Sequence, residues 1–155
     1  MVKASYGGLS SRIARGLGRL AELKRWWSSC PISVAVRARL VKMCVWSLVL
    51  YGVEWSRLGS GGMSKLCVFA NDCRRSVLGL RRVCRVREEE LISRSGLEDV
   101  RMIVARRSLK WMEKVDGEGV LSSVYRVVDD GAKRVGRPCY RYNVEYRRWL
   151  MGIVD

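Results

Sequence analysis

The chain has 155 residues, 30 Lys plus Arg against 15 Asp plus Glu, no His, and a formal net charge of +15. That length supports one domain or one domain with a tail, and 48% apolar content against 29% charged residues argues against wholesale disorder. Zero His removes the usual general base, the commonest metal ligand and every Ser-His or Cys-His arrangement, so no catalytic residue, cofactor or resident metal is expected.

The positive charge is mostly arginine, 23 Arg to 7 Lys. Arginine offers a planar fork that matches phosphate and stacks on bases, whereas lysine is a strongly hydrated point charge. With six Trp and six Tyr, this composition points to a polyanion, nucleic acid first. A ribosome-like or membrane-surface basic protein is the blander alternative. The cysteines at Cys30, Cys44, Cys67, Cys73, Cys84 and Cys139 form no CxxC pair. Reduced, buried thiols in an intracellular protein, nuclear or cytoplasmic, are therefore expected in place of disulfides or zinc. The stretch 1–9 lacks the apolar run of a signal peptide. The longest apolar stretch, 44–53, falls well short of the ~20 residues a membrane span needs, so no membrane partner is expected.

In chain order, Ser10 or Ser11 caps a first helix to about residue 27, with Ile13, Leu17, Leu20 and Leu23 at helical spacing. Cys30-Pro31 ends it. Ser33 opens a second helix to about 51, whose apolar second half marks it as the central, most buried element. The Gly59-to-Gly62 run breaks the chain, and a third helix follows over 63–78, with Leu66, Phe69, Ala70, Cys73 and Val77 on one stripe and Gly79 as its stop. A fourth helix fits 87–95, closed by Gly96. A fifth, 97 to about 115, turns Val100, Ile103, Val104, Leu109 and Trp111 inward. The stretch 121–128 fits helix or strand equally, and from Asp129 the chain turns polar and basic, with one late helix over 143–151. The expected architecture is all-α: a helical bundle over 1–115 with a basic, partly irregular extension over 116–155.

Three local patterns imitate chemistry. The Gly-rich run from Gly59 to Lys65 lacks the Lys directly after its second glycine and the preceding strand that a P-loop requires. Asp129-Asp130 suggests a polymerase metal pair, but no neighbouring acidic strand accompanies it, and a solvated turn before Gly131 is the simpler reading. No Ser-x-x-Lys spacing occurs anywhere, which closes the serine–lysine class.

The basic clusters carry more. Arg74-Arg75, Arg81-Arg82, Arg85 with Arg87, Arg106-Arg107 and Lys133-Arg134 recur with few intervening acids. Each phosphate they neutralise would release counterions and add affinity. Trp46 and Tyr51 are expected in the core, whereas Tyr140, Tyr142 and Trp149, in the basic extension, are placed to stack on bases.

Seven of these segments, in order, resemble the region C-terminal to the polymerase palm in non-LTR (LINE-type) retrotransposon reverse transcriptases. Ser11-Arg12-Ile13 through Trp26 is similar to the family's RI-to-W helix, and Ile32-Ser33 through Leu40 to the segment that follows it. Leu50-Tyr51-Gly52-Val53-Glu54-Trp55 resembles the LYG.E.W motif, one residue short, and Phe69 with Cys73 through Leu80 resembles F...CLRRILGI. Glu89-Glu90-Leu91 through Gly96, Arg106 through Trp111, and Gly136-Arg137-Pro138 resemble NEELL.R.G, RR.LRW and GRP. Glu113-Lys114 stands where the family usually has Gly-His.

The resemblance implies a thumb and helical connector without its palm, whose metal-binding aspartates would lie upstream of residue 1. On this reading the chain is a fragment or relic of an RNA-directed DNA polymerase. Its role, if any, is non-catalytic: gripping RNA, DNA or an RNA–DNA hybrid, with the rest of a reverse transcriptase as a further partner. Arg74, Arg75, Arg81, Arg82, Arg106 and Arg107 are the expected phosphate contacts and Arg137 a groove contact. A helical module binding acidic protein partners, or a translated remnant without function, is the alternative.

Overall fold

A computed structural model of the chain describes residues 4–54, 58 and 60–116. The helices are α1 (Ala4–Ser29), α2 (Val34–Leu40), a π-helical segment (Val41–Trp46), α3 (Ser47–Val49), α4 (Ser60–Leu78), α5 (Glu88–Ser95) and α6 (Val100–Asp116). No strand occurs among the described residues. The fold class is all-α, as expected. The expected extension over 116–155 lies outside the described residues from 117 on, with Asp129-Asp130, Lys133-Arg134, Arg137, Cys139, Tyr140, Tyr142 and Trp149.

α1 starts earlier than a serine cap suggested, and Ser10 and Ser11 lie inside it. The apolar stripe continues one turn upstream to the buried Leu9, so Leu9, Gly16, Leu20 and Trp27 face inward, with Ile13 and Leu23 half-buried between them. Leu17 falls off this stripe and stays 40% exposed. The helical rod over 34–49 continues through α2, the π segment and α3, and buries Ala38, Val41, Val45, Trp46 and Val49. It is not the centre of the bundle. That place belongs to α4, which packs against α1, α2, α5 and α6. Leu66, Phe69, Ala70, Cys73 and Val77 form the α4 stripe and are all buried, as the spacing indicated.

Local chemistry fixes the ends. α4 begins at Ser60, so Gly61 and Gly62 sit in its first turn and do not form a loop. A Cβ at Gly62 would stand 3.3 Å from the Leu58 side chain and 3.7 Å from that of Leu9, so the bare glycine lets the chain close over the core there. α4 ends in a Schellman motif: Gly79 at φ +70° donates to Ser76 O at 3.3 Å and Leu80 N donates to Arg75 O at 2.9 Å. The left-handed Gly96 closes α5 as expected. α6 starts at Val100, not Leu97, because the Asp99 carboxylate accepts from Arg101 N at 3.0 Å and so caps it. Its buried stripe runs Val100, Val104, Ser108, Met112, flanked by Ile103 and Ala105. Leu109 therefore stands 49% exposed and Trp111 half-buried, contrary to the inward placement expected.

Tyr51 is the clearest departure. It was expected in the core and is 75% exposed. The helix stops at Val49, and residues 50–53 make a four-residue turn in which Val53 N donates to Leu50 O at 3.3 Å and Gly52 takes φ +65° at the third position. That geometry belongs to a type II turn, whose second residue stands at the outer corner. Leu50 and Val53 turn inward and Tyr51 turns out. The cysteines divide: Cys67 and Cys73 are buried thiols, as expected, whereas Cys30, Cys44 and Cys84 are exposed. Cys44 belongs to the apolar run, but on its outer side.

Candidate nucleic-acid interface

Among the described residues, several cationic side chains meet where α4 ends against α1. A cleft of about 500 Å³ there is lined by Leu17, Leu20, Ala21 and Lys24 of α1, by Asp72, Arg75 and Ser76 of α4, and by Gly79, Leu80, Arg81 and Arg82 of the loop that follows. Four cations meet one carboxylate in this lining. Arg82 holds Asp72 with both ends of its fork, Nε donating to Oδ1 at 3.1 Å and Nη2 to Oδ2. Lys24 and Arg81 are exposed. Arg75 is half-buried, and its Nε is shielded from water with no hydrogen-bond partner.

The loop over 79–87 extends this surface. A turn closed by Cys84 N donating to Arg81 O at 3.0 Å projects Val83, 88% exposed, at its tip. Arg81, Arg82, Arg85 and Arg87 are all exposed around it. The field is bounded on the far side by Glu88, Glu89 and Glu90 in the first turn of α5, where carboxylates complement the helix dipole.

Other arginines are turned to internal work. Arg74 was expected to contact phosphate; it is fully buried. Its Nη1 donates to Asn71 Oδ1 at 2.7 Å and stands 3.6 Å from Glu88 Oε1, while Nη2 donates to Glu98 O at 2.7 Å. Burial pulls this guanidinium below its ordinary value, and the charges of Asp99 and Glu88 oppose that pull. Arg74 thus ties α4 to the start of α5 and to the α5–α6 junction, and is withdrawn from any ligand. Arg37 donates to Val77 O at 3.4 Å, with its guanidinium 5.7 Å from the Trp27 ring centroid. Arg107 donates to Leu50 O at 3.1 Å, and Arg12 donates to Tyr51 O. Arg37 and Arg12 thus supply donors to carbonyls at a helix end and a turn, and Arg107 adds a second donor to Leu50 O, which already accepts from Val53 N.

The seven expected site residues therefore separate. Arg75, Arg81 and Arg82 converge on one cleft, joined by Lys24, which no local signal in the sequence marked. Arg106 is exposed and pairs with Glu98, Arg107 serves the turn at Leu50, and Arg74 is interior. Arg137 lies outside the described residues. Adjacent residues on a helix point about 100° apart, so an Arg-Arg pair cannot present one face. Among the described residues no group of three or more His, Cys, Asp or Glu could hold a metal, and no helix is long and apolar enough to cross a membrane.

Fold and site together define an all-α protein with a cationic cleft and an arginine-rich loop. Comparison with protein-family models, with curated proteins and with solved structures finds no match for the chain.

Proposed function

We propose that the chain is a non-catalytic nucleic-acid-binding module that grips the phosphate backbone of an RNA or RNA–DNA duplex, in the manner of the reverse-transcriptase thumb its motifs resemble. The observation that carries this reading is the α1–α4 cleft: Lys24, Arg75, Arg81 and Arg82 converge from three segments against Asp72 alone. Phosphate oxygens accept from such forks and sequence plays no part in the contact. The exposed Arg85 and Arg87 widen the same field. Binding should then weaken steeply with salt, as each neutralised phosphate releases counterions. Fluorescence anisotropy on a labelled RNA–DNA hybrid, repeated from low to physiological salt, tests this. Affinity that falls by orders of magnitude supports the proposal; absent or salt-independent binding defeats it.

A second reading, docking of a protein partner, has its own observation. A groove of about 490 Å³ between α1 and the 34–49 helix exposes Trp26 and is lined by Leu23, Cys44 and Leu48. Its rim carries Arg19 and Glu22 bonded to each other, at 2.9 Å, which gives the groove no net charge with which to select an acidic partner.

A further inference from the structure

The outward Tyr51 sits in an unusual electrostatic setting. Arg107, from α6, donates to Leu50 O, the carbonyl of the peptide that enters Tyr51. Arg12, from α1, donates to Tyr51 O, the carbonyl of the peptide that leaves it. Two guanidinium groups are thus fixed to the peptides on either side of one Cα, and the ring between them is 75% exposed. The turn cannot easily collapse over the ring, because both peptides are held from different helices and Gly52 fixes the corner at φ +65°. A guanidinium has five N–H donors. Arg107 spends one of them on Leu50 O, and Arg12 spends two, on Tyr51 O and Gly8 O.

From Arg107 the charge continues along α6. Arg107, Lys110, Trp111 and Lys114 recur at helical spacing and, with Glu54, line a second cleft of about 250 Å³. Among the described residues, three cations and one carboxylate line it. The stripe rises about 10 Å from Arg107 to Lys114. None of these residues belongs to the α1–α4 cleft.

We infer that Tyr51, flanked by Arg12 and Arg107 and continued by Lys110 and Lys114, is a stacking site for an unpaired nucleotide of a single-stranded nucleic-acid segment. A flat, exposed ring whose own backbone is held by two guanidinium groups suits a base on its face and phosphates near by, which is how single strands are held without sequence preference. A paired base inside a duplex has no free face to offer, so this surface selects single strand where the α1–α4 cleft accepts duplex phosphates. The inference rests on the nucleic-acid reading above and assigns part of the surface to a strand end or overhang.

The full chain is titrated with a short labelled oligothymidylate and with an abasic strand of equal length, which keeps the phosphates and removes the bases. Wild type should favour the ordinary strand by about tenfold. Tyr51→Ala should close most of that gap, Tyr51→Phe should keep it, and neither should alter binding of a blunt duplex. Replacing both Lys110 and Lys114 with Ala should flatten the single-strand salt slope by roughly 1–1.5 units and leave the gap intact. Because Tyr51 is exposed, circular dichroism should show all variants folded; Tyr51→Leu, apolar but without a flat ring, should close the gap as Tyr51→Ala does and keeps the test decisive if Tyr51→Ala does not fold. Duplex binding without any base-dependent gap, or a gap that Tyr51→Ala leaves unchanged, overturns the stacking site alone. Binding of neither strand nor duplex overturns the nucleic-acid reading and the stacking site with it.

Discussion

Arg74 is a full positive charge with no exposure to water; Asn71, Glu88, the Glu98 carbonyl and the nearby Asp99 charge offset that cost, while its Nε is left without a partner. Removing one partner from a buried network leaves the others unsatisfied. Arg74→Ala should therefore destabilise the fold by about 2–4 kcal/mol, the lower part of that range reflecting the partly exposed Glu88. Arg74→Lys should fail to restore it, since one ammonium cannot reach both acceptors as a fork does. Urea denaturation measures this, and the protein that remains folded should keep the wild-type salt dependence of duplex binding. Cys73 makes a second case at this scale. Burial, the largest cause, pushes its thiol from 9.0 up to about 12. Above pH 9 the unfolded chain releases this proton while the folded chain retains it, so unfolding gains. The stability tied to the neutral thiol is whole below about pH 9 and is lost progressively between about 9 and 12. Wild type should lose stability over that window more steeply than Cys73→Ala, read from denaturation midpoints at matched pH; parallel curves would contradict the assignment.

Helix packing turns on small residues as much as on large ones. A Cβ at Gly16 would stand 2.5 Å from Val49 Cγ2 and 3.1 Å from Phe69 Cζ, so α1 meets α3 and α4 across a bare glycine. Gly8 and Gly18 of the same helix have nothing within 4 Å. Gly16→Ala should destabilise by about 1–2 kcal/mol, overpacking outweighing the helical gain, while Gly8→Ala and Gly18→Ala should stabilise by up to about 1 kcal/mol each. Thermal melts of the three variants check the contrast. At this scale the sequence was most legible. Among the described residues, apolar periodicity and Gly, Pro and Ser breaks located the five helical rods, Pro31 and Gly96 marked ends, and the α4 stripe matched residue for residue. What it could not show were outcomes set by other elements. Nothing local distinguishes Gly16 from Gly18, since only Val49 and Phe69 do. Tyr51 read as core because it follows an apolar run, but Gly52 opens a turn one residue later and reverses its side. The site was legible only in part: Arg75, Arg81 and Arg82 meet because Gly79 folds the loop back toward α1, whereas Arg74, their neighbour in sequence, points the other way.

The described residues form a small bundle built around α4, with Arg75, Arg81, Arg82, Arg85 and Arg87 at the C-terminal end of that helix and with Arg37, Arg74 and Arg107 used as clamps. Net charge alone would attract any polyanion weakly, without a preferred surface. The account makes a stronger claim, that the α1–α4 cleft is where duplex phosphates sit. Salt titration of duplex binding separates the two. With about five or six phosphates neutralised, log affinity against log salt should have a slope of roughly −4.5 to −5.5. Replacing Lys24, Arg75 and Arg81 with Ala removes three cleft charges; replacing Arg39, Lys42 and Lys65, exposed and outside the cleft, removes three elsewhere. The cleft variant should lose about 2–3 units of slope, and the control variant should match wild type. Equal slopes for the two variants would show that net charge, not the cleft, governs binding and would contradict the account.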